Sequence, residues 1–175
     1  VRFALGVLVP LATVLIGVVS YWLSRDSLPD RLASQFGPDG PNESMSVGGL
    51  AIATSVLGGA GVAALFALAA TRRPLAAHTA PLIGFIGGFL AGLGAGVFAS
   101  TVLTHRALDS WRDASAWPIA LGATSVALVV GVIAARLAAA LPQLDRGVPD
   151  ASQRPARALG ATEHAVWNTT LHSPL

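Results

Sequence analysis

Residues 80–104 read APLIGFIGGFLAGLGAGVFASTVLT and contain no charged residue. At a helical rise of ~1.5 Å per residue, this stretch is long enough to cross a hydrocarbon core of ~30 Å. Small residues recur along it at every fourth position, namely Gly84, Gly88, Gly92, Gly96 and Ser100. Because the hydrophobic effect does not drive helices together in lipid, helix contact there depends on such small residues. The stretch therefore predicts the central helix of a membrane bundle, with these five residues as its helix-packing face.

The composition of the whole chain also indicates a membrane protein. Of its 175 residues, 53% are hydrophobic and only 11% are charged, whereas soluble domains carry about 25% charged residues. The net charge of +2 is too small to indicate a nucleic-acid partner, and the absence of cysteine excludes disulfides and thiolate metal sites. The lipid bilayer is therefore the first partner that the sequence predicts.

Three further apolar stretches complete a set of four predicted spans, at about residues 3–23, 47–70, 80–104 and 114–135. Pro10 lies inside the first span and should either bend it or be compensated by neighbouring helices. The predicted fold is all-α, a four-helix transmembrane bundle in residues 1–140. We expect a short extracytoplasmic helical loop at residues 24–46 and a flexible cytoplasmic tail at residues 141–175.

The arginines predict the orientation of the spans. If both termini are cytoplasmic, the inner segments hold seven of them: Arg2, Arg72, Arg73, Arg136, Arg146, Arg154 and Arg157. The outer loops then hold four: Arg25, Arg31, Arg106 and Arg112. Positive charge near span ends favours the cytoplasmic side. Since arginine without lysine and abundant alanine suggest a GC-rich bacterial genome, we expect a multi-pass protein of a bacterial plasma membrane.

The outer loop carries the signals of a short helix. Ser27 can cap the start of this helix, Pro29 suits its first turn, and Gly37 would follow its end. Apolar residues at four-residue spacing would give the helix one apolar side: Leu28, Leu32 and Phe36. Residues 40–42, Gly-Pro-Asn, then predict a turn back to the membrane.

The same loop carries a family resemblance. Residues 28–32 read LPDRL, residues 35–37 read QFG and residues 39–42 read DGPN. This pattern resembles the extracytoplasmic motif of bacterial membrane proteins with a DUF1648 domain, which are found among relatives of the SdpI immunity proteins. The family usually has His where this chain has Gln35, and often Asp where it has Asn42. The resemblance implies an immunity or signalling role, with ligand- or partner-binding residues in the loop: Leu28, Pro29, Asp30, Arg31, Gln35, Phe36, Asp39 and Asn42.

The tail shows a second, smaller resemblance. Its first part is polar and contains several prolines, which predicts a flexible linker. Residues 163–170, EHAVWNTT, have the β-branched and aromatic character of a strand. This segment resembles the start of a β-rich cytoplasmic domain that follows such bundles in actinobacterial relatives. We therefore interpret it as the beginning of a truncated domain.

Few residues suggest chemistry. His105 and Asp109 are four residues apart on an expected helical extension of the third span, which makes them weak candidates for a metal pair. A solvated helix end is the simpler interpretation. The inner parts of the four spans contain no ionisable residue, which argues against ion-coupled transport. With no nucleophile–base pair and no phosphate-binding motif, we expect no enzymatic activity, no catalytic residue and no cofactor.

Two functions from different classes remain. The first is a non-enzymatic integral membrane protein of the DUF1648 or SdpI-like type, recognising a peptide ligand or a membrane-protein partner at its outer loop. The alternative is a structural accessory subunit that docks through its glycine-rich third helix onto a larger membrane complex. Gly88→Leu or Gly92→Leu would separate them, because these changes abolish assembly with a partner only under the alternative.

Overall fold

A computed structural model of the chain describes residues 1–72, 75–76, 78–106 and 108–142. Its long helices are α1 (Val9–Ser24), α2 (Val47–Ala70), α3 (Thr79–His105) and α4 (Ala116–Ala139). All four are long and apolar enough to cross a membrane, α1 together with the helical turns at its two ends. The prediction of four such helices is confirmed. The predicted linker and strand of the tail lie outside the described residues.

Pro10 is accommodated by a local change of helical geometry. The turn before α1, Ala4–Leu8, is a π-helix, and the amide of Val9 donates to the carbonyl of Ala4, five residues earlier. The chain is helical without a break from Arg2 through this turn into α1, so Pro10 lies inside a continuous helix just after the π turn. The hydroxyl of Thr13 donates to the Pro10 carbonyl at 2.7 Å. Pro10 is therefore accommodated within the helix itself, whereas the sequence predicted a bend or contacts from neighbouring helices.

The glycine row of α3 lies against α4. A Cβ built on Gly88 would lie 2.6 Å from the Cβ of Ala134, and one built on Gly92 would lie 2.9 Å from the Cα of Ala127. The rest of the row makes similar approaches: Gly84 to Ala138, Gly96 to Ala123, and Ser100 to Gly122. Distances this short leave no room for a larger side chain, so the two helices are in backbone contact.

Another side of α3 packs on α2 by the same means. A Cβ built on Gly94 would lie 2.6 Å from the carbonyl oxygen of Thr54 and 2.8 Å from the Cα of Gly58. Gly61 of α2 approaches the backbone of Gly87 more closely still. Because α3 also contacts α1, it contacts all three of the other long helices.

Larger apolar side chains fill the region around the first turn of the chain. Leu5 and Leu65 are fully buried there. They belong to a cluster with other apolar residues of α1, α2, α3 and α4: Val9, Leu68, Ala80, Val130, Ala134 and Ala138. The helices therefore share one apolar core at this end, whereas glycine contacts dominate along the middle of α3.

The outer loop contains a β-hairpin, so the predicted loop helix is wrong. Strand β1 (Leu32–Gly37) pairs antiparallel with strand β2 (Gly40–Met45). Residues four apart share one side of a strand as well as one side of a helix. The spacing of Leu28, Leu32 and Phe36 was therefore consistent with both structures.

The turn of the hairpin also differs from the prediction. Pro38 and Asp39 form the tip between Gly37 and Gly40, and Gly40 has a φ of 117°, which favours glycine. A Pro-Asp-Gly sequence is a recognised turn signal. The predicted turn at residues 40–42 instead lies within β2.

The fourth helix differs in its bounds from the predicted span. Ser115 is its N-cap residue, and the helix continues through Arg136 to Ala139. Arginine is a good helix former and can extend its charged group towards lipid headgroups. A single arginine therefore does not end the helix.

Candidate functional site

The hairpin is attached to the helices through a buried histidine. His105, the last residue of α3, is fully buried. Its Nε2 lies 2.9 Å from the backbone nitrogen of Ala33, and its Nδ1 lies 2.7 Å from the carbonyl oxygen of Thr101. An amide can only donate and a carbonyl can only accept, so Nε2 is the acceptor and Nδ1 carries the proton. The imidazole of this link is therefore neutral.

Apolar side chains complete the attachment. Leu32 of β1, Leu50 of α2 and Val102 of α3 form a buried cluster. Partly buried apolar side chains from the segment before β1, from β2 and from two helices pack around it: Leu28, Met45, Val47 and Phe98. The hairpin therefore has a defined position at the start of α2 and the end of α3.

The connection between α3 and α4 borders the hairpin. A 3₁₀ turn, Trp111–Asp113, contacts β2. The guanidinium of Arg112 lies 5.0 Å from the centre of the Trp111 ring, a cation–π distance. Polar and aromatic groups of this turn therefore adjoin the hairpin and extend the candidate surface.

The surface of the hairpin exposes polar side chains. Arg31 donates through Nε to the Ser44 hydroxyl at 2.9 Å and through Nη2 to the Ser44 carbonyl at 2.8 Å. Gln35 lies opposite Glu43 in the strand register. The exposed residues include carboxylates, amides and one guanidinium: Asp30, Arg31, Gln35, Asp39, Asn42 and Glu43. Together they offer both donors and acceptors to a partner.

The structure divides the predicted loop residues into two groups. The apolar members are partly buried: Leu28, Pro29 and Phe36. Leu28 packs against the buried cluster, and Phe36 lies opposite Pro41 in the hairpin. The polar members are exposed: Asp30, Arg31, Gln35, Asp39 and Asn42. Only the polar group is therefore free to meet a ligand, whereas the apolar group supports the hairpin.

Sequence reasoning missed two residues of this surface. Glu43 and Ser44 were not predicted, yet the strand register brings them beside Gln35 and Arg31. The Pro-Asp-Gly signal at residues 38–40 would have predicted the hairpin, and pairing outward from that turn would have brought both residues close to the predicted set.

The weak candidate metal pair is not formed. The helical extension on which it depended is absent, because the backbone leaves the helix at Arg106, where ψ is 124°. Both ring nitrogens of His105 are already hydrogen bonded, and Asp109 is exposed. Within the described ranges, no group of three or more His, Cys, Asp or Glu side chains is placed to hold a metal ion. His105 is therefore a structural link.

Comparison with family models, with curated proteins and with solved structures found no match to this chain. The resemblance of residues 28–42 to the DUF1648 motif therefore stays a prediction. The function has to be argued from the geometry of the hairpin and from the physical character of the helices that carry it.

Proposed function

We propose that this chain is a non-enzymatic, multi-pass membrane protein that recognises a ligand or a protein partner at the hairpin. The observation that carries the proposal is the buried attachment of a polar surface element. His105 and the Leu32 cluster hold the hairpin from beneath, while its polar side chains stay exposed. A surface that is held in place before binding loses little conformational freedom when a partner arrives, which favours affinity.

The proposal includes a topology. The four helices form a bundle around α3 in a bacterial plasma membrane, with both termini in the cytoplasm and the hairpin outside. The excess of arginine in the segments assigned to the cytoplasm supports this orientation. The resemblance to the DUF1648 and SdpI-like proteins supports an immunity or signalling role.

The charges of the hairpin favour a basic partner. Asp30, Asp39 and Glu43 are exposed carboxylates of the hairpin surface, whereas Arg31 beside them is already hydrogen bonded to Ser44. Complementary charge steers partners and selects among them. A cationic peptide or a basic segment of a membrane protein is therefore the partner that suits this surface.

The accessory-subunit alternative has no comparable support. That proposal needs the glycine row of α3 as a docking face, and Gly84, Gly88, Gly92 and Gly96 are all covered by α4 within the chain. An external helix would have to displace α4 to reach them.

Site-specific photo-crosslinking in intact cells tests partner recognition. A photoreactive residue replaces Gln35 on the hairpin or, as a control, Val56, which is 74% exposed on α2. We expect a discrete protein or peptide adduct at Gln35 but not at Val56. Adding Asp39→Asn and Glu43→Gln should reduce this adduct, because they remove two carboxylates. Equal adducts at both positions, or an adduct that ignores the carboxylates, would contradict the proposal.

Cysteine labelling tests the topology separately. The chain has no cysteine, so Gln35→Cys provides a single thiol. We expect a membrane-impermeant maleimide to label it in intact cells. Labelling that requires cell lysis would place the hairpin inside and contradict the orientation.

A further inference from the structure

A groove lies between α1 and α2 on the surface of the helices. Its volume is about 500 Å³, within the range of ~300–1,000 Å³ that is usual for ligand sites. One wall is formed by α1 from Thr13 to Trp22 and the other by α2 from Ala51 to Val62. Ala95 and Phe98 of α3 contribute to its floor. The groove therefore lies among segments that are apolar enough to cross the membrane.

The lining of the groove suits a hydrocarbon chain. Among the described residues, no charged side chain lines it. The hydroxyl of Thr13 donates to the Pro10 carbonyl at 2.7 Å, and that of Thr54 donates to the Leu50 carbonyl at 2.8 Å. These hydroxyls therefore have their donors committed within their own helices. Tyr21, Trp22 and Ser55 add three polar groups to the lining, but a strongly polar substrate would still exchange full hydration for only a few hydrogen bonds.

The dimensions of the groove favour a lipid chain over a helix. The wall from Thr13 to Trp22 extends for roughly 14 Å at ~1.5 Å per residue, close to half of a ~30 Å hydrocarbon core. A helix of ~10–12 Å diameter and that length would occupy roughly 1,100–1,600 Å³. Such a helix would need all of the open space between the walls, about 1,100 Å³, or more, whereas an acyl chain has no backbone or side chains and is much thinner.

One end of the groove carries a cation. Trp22 lines the groove, and the guanidinium of Arg25 lies 3.9 Å from the centre of its ring. Tryptophan is favoured at the level of the lipid headgroups, and a guanidinium matches the geometry of a phosphate. Arg25 also pairs with Asp26 at 3.4 Å, but this carboxylate side chain is 90% exposed. An exposed pair of this kind is weak, so a phosphate can compete for the guanidinium.

We propose that this groove binds one phospholipid molecule. An acyl chain lies over α3 between α1 and α2, and the phosphate meets the guanidinium of Arg25. The proposal depends on the four helices spanning a membrane and is independent of what the hairpin recognises.

Retention of phospholipid by the purified full-length protein tests the proposal. The protein is exchanged against vesicles of palmitoyl-oleoyl phosphatidylethanolamine, extracted in mild detergent, and analysed by native mass spectrometry. We expect one phospholipid to stay bound to each chain. Gly59→Leu should remove most of it, because a Cβ built on Gly59, which lines the groove, meets no atom within 4 Å. The new side chain would occupy the groove without a clash.

Gly48→Leu is the matched control. A Cβ built on Gly48 of α2 also meets no atom within 4 Å, and Gly48 does not line the groove. We expect this variant to retain phospholipid as the wild type does. Ser55→Leu on the same wall provides a second blocking variant if Gly59→Leu does not fold. Arg25→Gln should weaken retention about tenfold or more, because it removes the charged donor that a phosphate would meet.

Several results would overturn the proposal. A wild type without bound phospholipid would do so, as would equal retention by the blocking variants and by Gly48→Leu. Unchanged phospholipid retention in Arg25→Gln would show that the phosphate does not bind at Arg25, and it would overturn the proposed arrangement. Efficient disulfide formation between two copies of Val18→Cys, a change on the rim of the groove, would show that a second chain occupies it instead.

Discussion

The two attachments of α3 differ in how they distribute their contacts. Along α4, successive turns of α3 meet the neighbouring backbone through glycine and alanine. At its end, α3 holds the hairpin through one histidine and a small apolar cluster. The helix interface depends on many close contacts with no titratable group among them, whereas the hairpin depends on a single neutral imidazole. We therefore expect damage to the first to unfold the protein, and damage to the second to release the hairpin alone.

Gly88→Leu should have the largest effect. A Cβ at this position would lie 2.6 Å from the Cβ of Ala134 and 2.8 Å from the Val130 carbonyl oxygen. Because backbone atoms cannot move aside as a flexible side chain does, we expect a loss of about 3 kcal/mol or more of stability. Thermal unfolding in detergent, followed by circular dichroism, measures this loss.

Gly48→Leu is the control for this experiment, since the same side chain enters open space there. We expect its melting temperature to stay near that of the wild type. If Gly88→Leu melts at the same temperature as Gly48→Leu, the close α3–α4 interface is wrong.

His105→Ala should release the hairpin and leave the helices folded. The change removes the acceptor of the buried Ala33 amide, and an unsatisfied buried group costs ~1–3 kcal/mol. Hydrogen exchange of the amides at residues 32–45 should therefore become about ten to a hundred times faster. Amides at residues 84–100 should keep their protection.

His78→Ala provides the matched control, because His78 is exposed near the start of α3. It should change exchange in neither region. Faster exchange in both regions of His105→Ala would show that the hairpin and the helices unfold as one unit, which would contradict release of the hairpin alone.

Acidification should loosen the wild-type hairpin in the same way. Nε2 of His105 accepts a hydrogen bond, and protonation would replace this acceptor with a donor that faces the Ala33 amide. The stabilising contact is thus present while the imidazole is neutral and is lost as the pH falls. Hydrogen exchange at residues 32–45, corrected for its intrinsic pH dependence, should accelerate in acid. His105→Gln, which keeps an acceptor but does not titrate, should not show this acceleration, and an equal response would exclude His105 as its origin.

The sequence predicted most features that depend on local residues and missed those that depend on distant ones. The hairpin is the exception, because its Pro-Asp-Gly turn at residues 38–40 is a local signal that the helix prediction overlooked. Uninterrupted apolar length predicted the four helices, and four-residue spacing identified the small face of α3. That spacing did not identify α4 as the surface beneath this face. The link from His105 to Ala33 joins residues 72 positions apart. Nε2 of His105 accepts from a backbone amide, and every residue type except proline has such an amide. No side-chain pattern encodes such a contact, and the groove between α1 and α2 likewise depends on the relative placement of helices.

Gly40→Ala should have the smallest effect. It compares the turn of the hairpin with the attachment of the hairpin through His105. A Cβ on Gly40 meets no atom within 4 Å, so the only cost comes from its φ of 117°. For a residue with a side chain, such a sparsely populated conformation costs roughly 1–3 kcal/mol, and here the cost falls on the turn alone. We expect modestly faster exchange at residues 32–45, less than in His105→Ala, because the buried attachment stays intact. Gly48→Ala makes the same change within α2, where the backbone suits alanine, and should not accelerate exchange. If Gly40→Ala released the hairpin as fully as His105→Ala, the turn and not the histidine would hold it.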